Sequence, residues 1–416
     1  MPRRIVIACW GSFGDVFPYI GLGKALLARG HHVRLALPGF YRDVVEAQGL
    51  ECHAVPPDVD PNAHDLIARA MDPRKGPETI VREWVMPALR ESYRELDVAV
   101  RGADLVLSHP VTFAAPIVAE QRQLPWVTTV LAPSSFFSVT DWPVMPVAPW
   151  LVHVGRTGAW FGRVMRHLVR RGSHSWWAPI RELRAELGLP ERGNPLLEGQ
   201  FSPSLIVAMF SKVLAEPQPD WPPHTHVTGF VFYNGPDVLS AELEAFLAAG
   251  PPPVVFTLGS SAVGAAGSFY EESAAAAARL GVRAVLLRGP FPKNDPVRTR
   301  SADILVLDRA PHQLLFPRAA AVVHHGGVGT TGQGLRSGRP TLVVPFSHDQ
   351  PDNANRVARL GVSRTVYPRA YKSARVAQQL DRLLRDPAYA RTAERIAAVV
   401  RAEGGTDAAA ALIERV

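Results

Sequence analysis

Apolar and polar positions alternate along the chain in two blocks of an α/β rhythm. Residues 4–10 (RIVIACW) form a continuous apolar run, as expected for a parallel strand buried on both faces. A glycine-rich turn follows, and residues 18–30 (PYIGLGKALLARG) then place apolar side chains at helical spacing. The same reasoning predicts a helix over about 40–48 and strands at 32–38, 51–55, 104–108 and 125–131.

The rhythm restarts after a proline-rich stretch at 215–253, whose composition is typical of an inter-domain connection. The second block predicts strands at 254–258, 282–287, 304–307, 321–324, 341–345 and 364–367. It also predicts helices at about 268–280, 311–318, 328–337 and 352–360. The expected fold is α/β, with two Rossmann-like domains facing a cleft. The expected boundaries are 1–214, a linker and domain start at 215–253, a second domain at 254–395, and a C-terminal helix at 396–416 packing back on the first domain.

Composition narrows the class of protein. The 416 residues are 47% hydrophobic and 20% charged, which is ordinary for a globular protein. The net charge of +7 suits an anionic ligand such as a nucleotide diphosphate, but it also suits a membrane surface or nucleic acid. Two cysteines give no disulfide framework, and no apolar run reaches 18 residues, so a cytoplasmic protein is expected.

Residues 133–180 break the rhythm with prolines and large aromatic side chains. As a cluster they favour the wall of an apolar acceptor pocket, although each one alone is more typical of a core. The candidate acceptor-binding residues are Phe113, Phe136, Phe137, Trp142 and Met145. Within this region, residues 150–171 predict a basic amphipathic helix carrying Arg156, Arg163, Arg166, Arg170 and Arg171. That helix has either a solvated face or a face that contacts a membrane.

Residues 321–353 carry the strongest chemical signal. A strand ends at His324-His325, a glycine turn follows, and a helix begins near Thr330. This arrangement points backbone N–H groups and a helix N-terminus at one spot, which is a site for phosphate. His325 is placed to donate to a phosphate oxygen.

The same segment satisfies a dinucleotide-binding pattern, with Gly327, Gly329 and Gly332 in G-x-G-x-x-G and Asp349 downstream for a ribose hydroxyl. An NAD(P)-dependent oxidoreductase is therefore an alternative, although its fingerprint would lie unusually late in the domain. A third interpretation is a tight turn whose glycines serve packing alone.

HHGGVGTT, with GLRSGRPTLVVPF and HDQPDNANRVARLGV after it, resembles the nucleotide-sugar site of inverting glycosyltransferases with two Rossmann-like domains (the GT-B type). These are the enzymes of the UDP-glucuronosyltransferase, macrolide, glycopeptide, sterol and rhamnolipid type. The N-terminal IVIACWGSFGDVFPYIGLGKALLARGHHV resembles the bacterial GSxGDVxP form of the same group. The resemblance covers both ends of the chain and is weak across 55–215.

The resemblance implies a donor site. Its diphosphate contacts would be His325, Gly327, Gly329, Thr330 and Thr331, with Ser260 or Ser261. Asp349 and Gln350 would contact the donor sugar hydroxyls, and Gln333 stands where many members have a ribose-binding Glu. Because Gln replaces this Glu, the nucleotide of the donor can be either UDP or dTDP. Arg309 and Ala310 occupy the nucleobase loop, where Arg309 would stack on the base and Ala310 would offer backbone groups.

Transfer to a hydroxyl needs a general base and stabilisation of the leaving diphosphate. Asp15 in the GSFGDV loop matches the proposed base of similar enzymes, and it also suits a helix-capping role; the two roles are compatible. His109, at a predicted strand end, is a second candidate base or a structural residue. No metal-ligand cluster stands out, so neither a metal nor a cofactor is expected besides the UDP- or dTDP-sugar co-substrate.

The sequence thus predicts an inverting transfer of a hexose or deoxyhexose to a hydroxyl of an apolar natural product, sterol or lipid-like acceptor. The alternatives are the oxidoreductase and a non-catalytic partner subunit that keeps the fold. Nucleic-acid binding has no motif behind it, whereas peripheral contact with the inner face of a membrane stays open. The oligomeric state is undetermined.

Overall fold

The computed structural model describes residues 1–60, 63–155, 158–233, 235, 238–296, 299 and 301–416. Over these residues the strands form two parallel sheets, with orders β3-β2-β1-β4-β5-β6-β7 and β10-β9-β8-β11-β12-β13. The first sheet comprises β1 (Arg4–Ala8), β2 (His32–Leu37), β3 (Glu51–Ala54), β4 (Leu105–Ser108), β5 (Trp126–Val130), β6 (Ile206–Ala208) and β7 (Thr225–Val227). The second comprises β8 (Val254–Thr257), β9 (Ala284–Leu287), β10 (Ile304–Leu307), β11 (Ala321–His324), β12 (Thr341–Val343) and β13 (Ser363–Thr365).

Helices cover both sheets and account for the burial of the central strands. The first domain has α1 (Phe13–Ala28), α2 (Arg42–Glu46), α3 (His64–Ala70), α4 (Gly76–Glu78), α5 (Met86–Ala99), α6 (Ala114–Gln121), α7 (Val152–Gly155), α8 (Ala159–Gly172) and α9 (Ala178–Glu186). After them come α10 (Ala241–Ala248), α11 (Gly259–Ala262), α12 (Phe269–Leu280), α13 (His312–Leu315), α14 (Val328–Ser337), α15 (Gln350–Arg359), α16 (Ser373–Arg385), α17 (Pro387–Ala402) and α18 (Gly405–Ile413).

Each sheet reverses its strand order once, and these reversals position the site. In the first sheet β1 pairs with both β2 and β4, so the chain leaves β1 in one direction and returns on the other side. In the second sheet β8 pairs in the same way with β9 and β11. Ligands of open α/β sheets bind in the crevice at such switch points, beyond the carboxyl ends of the strands. The structure therefore has two such crevices, between β1 and β4 and between β8 and β11.

Helix α1 begins at Phe13, five residues before the predicted start at Pro18. Ser12 caps it, because its hydroxyl accepts from the Gly14 N–H at 3.2 Å and the Asp15 carboxylate accepts from the Ser12 N–H at 2.8 Å. This reciprocal capping box satisfies N–H groups that the first turn leaves unpaired. Pro18 then lies inside the helix, and since it has no N–H, the Gly14 carbonyl lacks its usual helical partner.

The predicted linker at 215–253 contains regular structure. Strand β7 (Thr225–Val227) lies within it and pairs with β6 as the edge of the first sheet, and α10 (Ala241–Ala248) lies near its end. The sequence did not predict β7, because three residues are too few to show the two-residue period of a strand. The prolines nearby also favoured a linker. Residues 228–233 and 235 make the described part of the crossing between the two sheets.

The two domains share one apolar core besides their own. Leu335, Val343 and Val357 of the second domain pack with Phe210 and Phe230 on the opposite side of the interface. The chain then crosses back, and α18 inserts Ala409, Ala410 and Ile413 into the core of the first domain. The two domains are therefore held by apolar burial as well as by the crossing segments.

We expect Ile413→Ala to lower the free energy of unfolding by about 2–5 kcal/mol, because Ile413 is fully buried and truncation leaves a cavity in the first domain's core. Val399→Ala on α17, at a side chain that is 45% exposed, is the matched control and should change stability by under about 0.5 kcal/mol. Equal effects in urea denaturation would show that α18 is not anchored in this core.

Candidate active site

The two switch-point crevices face each other. Helix α1 contacts both α11 and α14 of the opposite domain. The Gly14 carbonyl oxygen lies 3.6 Å from where a Cβ at Gly329 would stand, so the two helix N-termini meet backbone to backbone. The structure thereby brings Asp15 of the first domain to the predicted phosphate loop of the second.

Asp15 lies half-buried in this cleft, at the third position of α1. Its Oδ2 accepts hydrogen bonds from the Ser12 N–H at 2.8 Å and the Ser12 hydroxyl at 3.0 Å. Burial raises the pKa of the carboxyl above its ordinary value, against the lowering effect of the Ser12 bonds. Asp15 is therefore both a capping residue and a carboxylate of increased basicity in the cleft.

His325 is clamped between two glycines at the end of β11. A Cβ at Gly259 would stand 2.5 Å from the His325 Cε1, and a Cβ at Gly327 would stand 2.4 Å from its Nε2. Only glycine at both positions leaves room for the ring, and Gly259 also adopts a φ of +60°. Burial lowers the pKa of His325 to about 3, so the imidazole is neutral, and its Nδ1 is buried with no partner among the described atoms.

The neighbouring His324 stabilises the glycine turn through a hydrogen bond. Its Nδ1 accepts from the Gly326 N–H at 3.1 Å, and burial lowers its pKa to about 3. Gly327 then caps α14, whose first turn leaves the N–H groups of Gly329 and Thr330 without helical partners. Ser260 and Ser261 lie half-buried on α11, beyond the adjacent strand β8.

The Thr331 side chain does not face the cleft with the other residues of the predicted phosphate loop. Its side chain is 1% exposed and faces the interior beside Leu335, Thr341 and Val357, where its hydroxyl has no partner among the described atoms. The α-helical geometry of α14 turns Thr331 about 100° from Thr330, away from the cleft. Contrary to the expectation, the Thr331 side chain is therefore not placed to contact a diphosphate. The Thr330 side chain is half-buried.

Asp349 and Gln350 are adjacent at the start of α15, and both side chains accept hydrogen bonds from other groups of the protein. The Asp349 Oδ2 accepts from the Val328 N–H at 3.1 Å and the Asn353 Nδ2 at 2.7 Å. The Gln350 Oε1 accepts from the backbone N–H groups of Phe346 and Ser347. Burial and the negative charge of Asp15 raise the pKa of Asp349 to about 7, which couples the two carboxyl groups across the cleft.

A cavity of about 570 Å³ opens beside α14. Gln333 lines it together with His312, Gln313 and Arg336. The sequence placed His312 at the end of the nucleobase loop without giving it a role, and it gave no signal for Gln313 or Arg336. The His312 ring stacks on Phe316 at 4.4 Å, and burial lowers its pKa to about 4.

The predicted nucleobase loop extends from the carboxyl end of β10. Arg309 is exposed there and Ala310 is half-buried against the apolar cluster under α10. Arg309 is thus accessible to a ligand.

His109 lies at the end of β4, at the same switch point as Asp15. Its ring meets Tyr19 edge-on at 5.9 Å, and burial lowers its pKa to about 3, so it is neutral. Its Nδ1 has no partner among the described atoms and lines a small cavity with Gln200 and Phe113. His109 is therefore a buried, neutral histidine at the same strand-order reversal as Asp15.

The candidate acceptor residues divide into two groups. Phe113 packs on Trp177 at 5.2 Å and Phe136 stacks on Trp221 at 4.1 Å, with 5% and 2% exposure respectively. Both belong to apolar core clusters, which corrects the expectation for Phe136, whereas Phe113 also lines the small cavity beside His109. Phe137, Trp142 and Met145 stay half-buried, and the Phe137 and Trp142 rings lie 5.9 Å apart.

The described residues contain neither a candidate metal site nor a helix that could span a membrane. No group of three or more His, Cys, Asp or Glu is placed to hold a metal ion. Among the helices formed by the described residues, none combines the length and hydropathy that crossing a membrane requires.

Known proteins of one class match both halves of the chain. Residues 5–139 match the glycosyltransferase family 28 N-terminal domain, and residues 290–414 match the erythromycin biosynthesis protein CIII-like C-terminal domain. The O-mycaminosyltylonolide 6-deoxyallosyltransferase of Streptomyces fradiae is 34% identical over 99% of this chain and 97% of its own length. The chain belongs to the GT-B glycosyltransferases.

More distant matches agree with this assignment. A sterol 3-beta-glucosyltransferase of Yarrowia lipolytica is 28% identical over 84% of the chain, which spans only 24% of that relative. The solved calicheamicin glycosyltransferase CalG4 shares the fold with a TM-score of 0.74 at 18% identity, over 100% of this chain and 98% of that one. The glycosyltransferase VinC, solved in complex with DTDP, has a TM-score of 0.67 at 21% identity over 99% and 98%.

For this glycosyltransferase we expect a stability profile set by Asp349. Its folded pKa of about 7 lies above the unfolded value of about 4, so between these pH values the folded state holds a proton that the unfolded state releases. Stability should therefore fall as pH rises from about 4 to about 7. Relative to Asp349→Asn, wild type should lose about 2–4 kcal/mol across this range.

Urea denaturation at several pH values measures this difference. Asp303→Asn, at an exposed carboxyl of the same domain, is the control and should track wild type at every pH. A wild-type curve parallel to that of Asp349→Asn would contradict the raised pKa of Asp349.

Proposed function

We propose that this enzyme transfers a hexose or deoxyhexose from a UDP- or dTDP-sugar to a hydroxyl of an apolar acceptor, with inversion at the anomeric carbon. The observation that carries the proposal is the meeting of the α1 and α14 N-termini, with the Gly14 carbonyl 3.6 Å from the Cβ position of Gly329. One helix presents a basic carboxylate and the other a phosphate-type anion site, so base and leaving group share one cleft.

The second domain supplies the donor site in this proposal. The Gly329 and Thr330 N–H groups and the Ser260 hydroxyl offer hydrogen bonds to the diphosphate, and the positive end of α14 favours its charge. His325 is neutral and still donates one N–H, since its Nδ1 is unpartnered. Gln333 faces the cavity of about 570 Å³ and suits the ribose hydroxyls.

The first domain supplies the base. Asp15 takes the proton of the acceptor hydroxyl as the acceptor oxygen bonds to the anomeric carbon. The bond from that carbon to the diphosphate oxygen breaks, and the electron pair leaves with the nucleoside diphosphate toward α14. A single displacement of this kind inverts the anomeric configuration. The raised pKa of Asp15 strengthens it as a base, because a carboxylate with a pKa nearer the working pH accepts a proton more readily.

The acceptor is proposed to be apolar. Phe137, Trp142 and Met145 are half-buried on the first-domain side of the interface, as pocket-lining residues would be. Two relatives support this proposal, since the Streptomyces fradiae enzyme is named for transfer to O-mycaminosyltylonolide and the Yarrowia lipolytica enzyme for transfer to a sterol.

We expect Asp15→Asn to lower kcat by about 10²–10⁴-fold, because the amide cannot accept the acceptor's proton. An Asn side chain still presents an oxygen to the Ser12 N–H, so the helix cap is kept. The variant therefore removes the base while leaving the capping role of residue 15 in place. Product formation from dTDP-glucose and UDP-glucose, followed by chromatography, measures the effect.

The exposed Asp43→Asn is the matched control and should retain full turnover. Thermal stabilisation by dTDP or UDP should be equal in wild type and Asp15→Asn. Wild-type turnover in Asp15→Asn would refute the base assignment. Stabilisation by NAD⁺ alone would favour the oxidoreductase, and wild type that binds nucleotide without any transfer would favour the non-catalytic subunit.

A peripheral membrane contact through α8 is the second part of the proposal. Trp160, Val164 and Leu168 recur at four-residue spacing and are 52%, 49% and 53% exposed. Arg163 and Arg171 are exposed on the same helix, which has no carboxylate. This face combines large apolar side chains with charges that are all positive, so it matches an anionic lipid surface. A second copy of the same face would be repelled by these charges.

The structure limits how much of the predicted basic helix serves this contact. Arg166 and Arg170 pair with Glu198 of the same domain, which agrees with a solvated face for these two. Arg156 lies outside the described residues.

We expect the protein to sediment with vesicles of phosphatidylglycerol and much less with phosphatidylcholine, and the double variant Trp160→Ser/Leu168→Ser to lose at least half of that binding. Val399→Ser, at another exposed apolar side chain, is the control and should bind as wild type does. Equal sedimentation of wild type and the double variant, or association of wild type into dimers through this face, would contradict the membrane contact.

A further inference from the structure

A buried ionic junction joins the two domains away from the cleft chemistry. Arg356 on α15 donates from Nε to the Asp352 Oδ2 at 2.7 Å and from Nη1 to the Asp141 Oδ2 at 2.6 Å. Asp141 belongs to the first domain, whereas Asp352 and Arg356 belong to the second. The same Nη1 donates to the Leu214 carbonyl at 3.2 Å.

The junction is almost fully excluded from water. The side chains of Arg356 and Asp352 are 4% and 2% exposed, and that of Asp141 is 24% exposed. The second oxygen of Asp352 is also used, because it accepts from the Val144 N–H at 3.0 Å. Each partner is thus held in one geometry, and a buried charge without its partner would be strongly unfavourable.

The junction lies between the two halves of the proposed site. On the second domain, Asp352 follows Asp349 and Gln350 by one turn or less of α15. On the first domain, Asp141 and Val144 flank Trp142. A rotation of one domain against the other would therefore have to break these charge-assisted bonds before the apolar wall could move relative to the start of α15.

Apolar packing at the interface would tolerate such a rotation. The shared core is non-directional, and dispersion contacts re-form after small displacements. The forked guanidinium of Arg356 is directional, since it bonds two carboxylates from different elements at fixed angles. The core holds the domains together, and the junction specifies their alignment.

We propose that Arg356, Asp141 and Asp352 are positioning residues that align the acceptor wall of the first domain with the donor-sugar end of α15. This inference rests on the proposed function. It assigns specificity for the acceptor step to residues that touch neither substrate.

The test compares Arg356→Lys and Asp141→Asn with wild type, using dTDP-glucose as donor and O-mycaminosyltylonolide as acceptor. Lys keeps the charge but loses the fork, and Asn keeps the shape but loses the charge. We expect a rise of at least tenfold in the acceptor KM for both variants. Hydrolysis of dTDP-glucose in the absence of acceptor, the donor KM and the Kd of dTDP should stay within twofold of wild type.

The matched control is Arg122→Lys, which alters the exposed ion pair with Asp97 in the first domain, where the N–O distance is 2.6 Å. It should leave every kinetic constant unchanged. A purely structural clamp would lower the melting temperature and reduce donor affinity, hydrolysis and transfer together, and this outcome would overturn the proposal. Wild-type acceptor KM in both variants would overturn it as well.

Failure of the proposed function is distinguishable from failure of this inference. If wild type neither hydrolyses dTDP-glucose nor transfers its sugar, the donor proposal fails, and the alignment role fails with it. If wild type does transfer and the variants lack the split between acceptor and donor constants, only the alignment role fails.

Discussion

The close approach of two helix N-termini across the cleft is the constraint on which the rest of the structure depends. Gly14 and Gly329 have no side chains to separate them, so the backbone of α1 comes within contact distance of the backbone of α14. Pro18 contributes from inside α1, because its missing N–H leaves the Gly14 carbonyl free of a helical partner. Both sheets place their switch points at this contact, so loops from distant parts of the sequence meet there.

The electrostatics of the cleft follow from that approach. Asp15 and Asp349 come from different domains; burial raises the pKa of both, and the negative charge of Asp15 raises that of Asp349 further. The histidines at the strand ends are neutral for the same reason, since burial disfavours their charged forms. The site therefore holds weakly ionised groups beside the positive ends of helices, which suits a ligand that brings its own negative charge.

The domains are held in this arrangement by two different kinds of interaction. A shared apolar core and the return of α18 into the first domain supply burial, which is strong but non-directional. The buried Arg356 junction adds directional bonds at the interface. Family membership explains the architecture, while the alignment of the two halves of the site depends on these particular side chains.

The sequence by itself determined most of the strands, their parallel arrangement and the glycine turn between β11 and α14, because buried apolar runs and a glycine turn between strand and helix are local patterns. It did not predict β6 and β7, which have only three residues each. It also led to two hypotheses, that Asp15 is the base, from the resemblance of its loop, and that His325 contacts phosphate, from its place before the glycine turn. Only the tertiary structure decided which aromatic residues belong to the core, as Phe113 and Phe136 do, since their partners Trp177 and Trp221 lie far along the chain. Tertiary structure likewise placed β7 in the first sheet and joined Asp141 to Arg356. These features depend on contacts between residues distant in sequence, which no periodicity along the chain records.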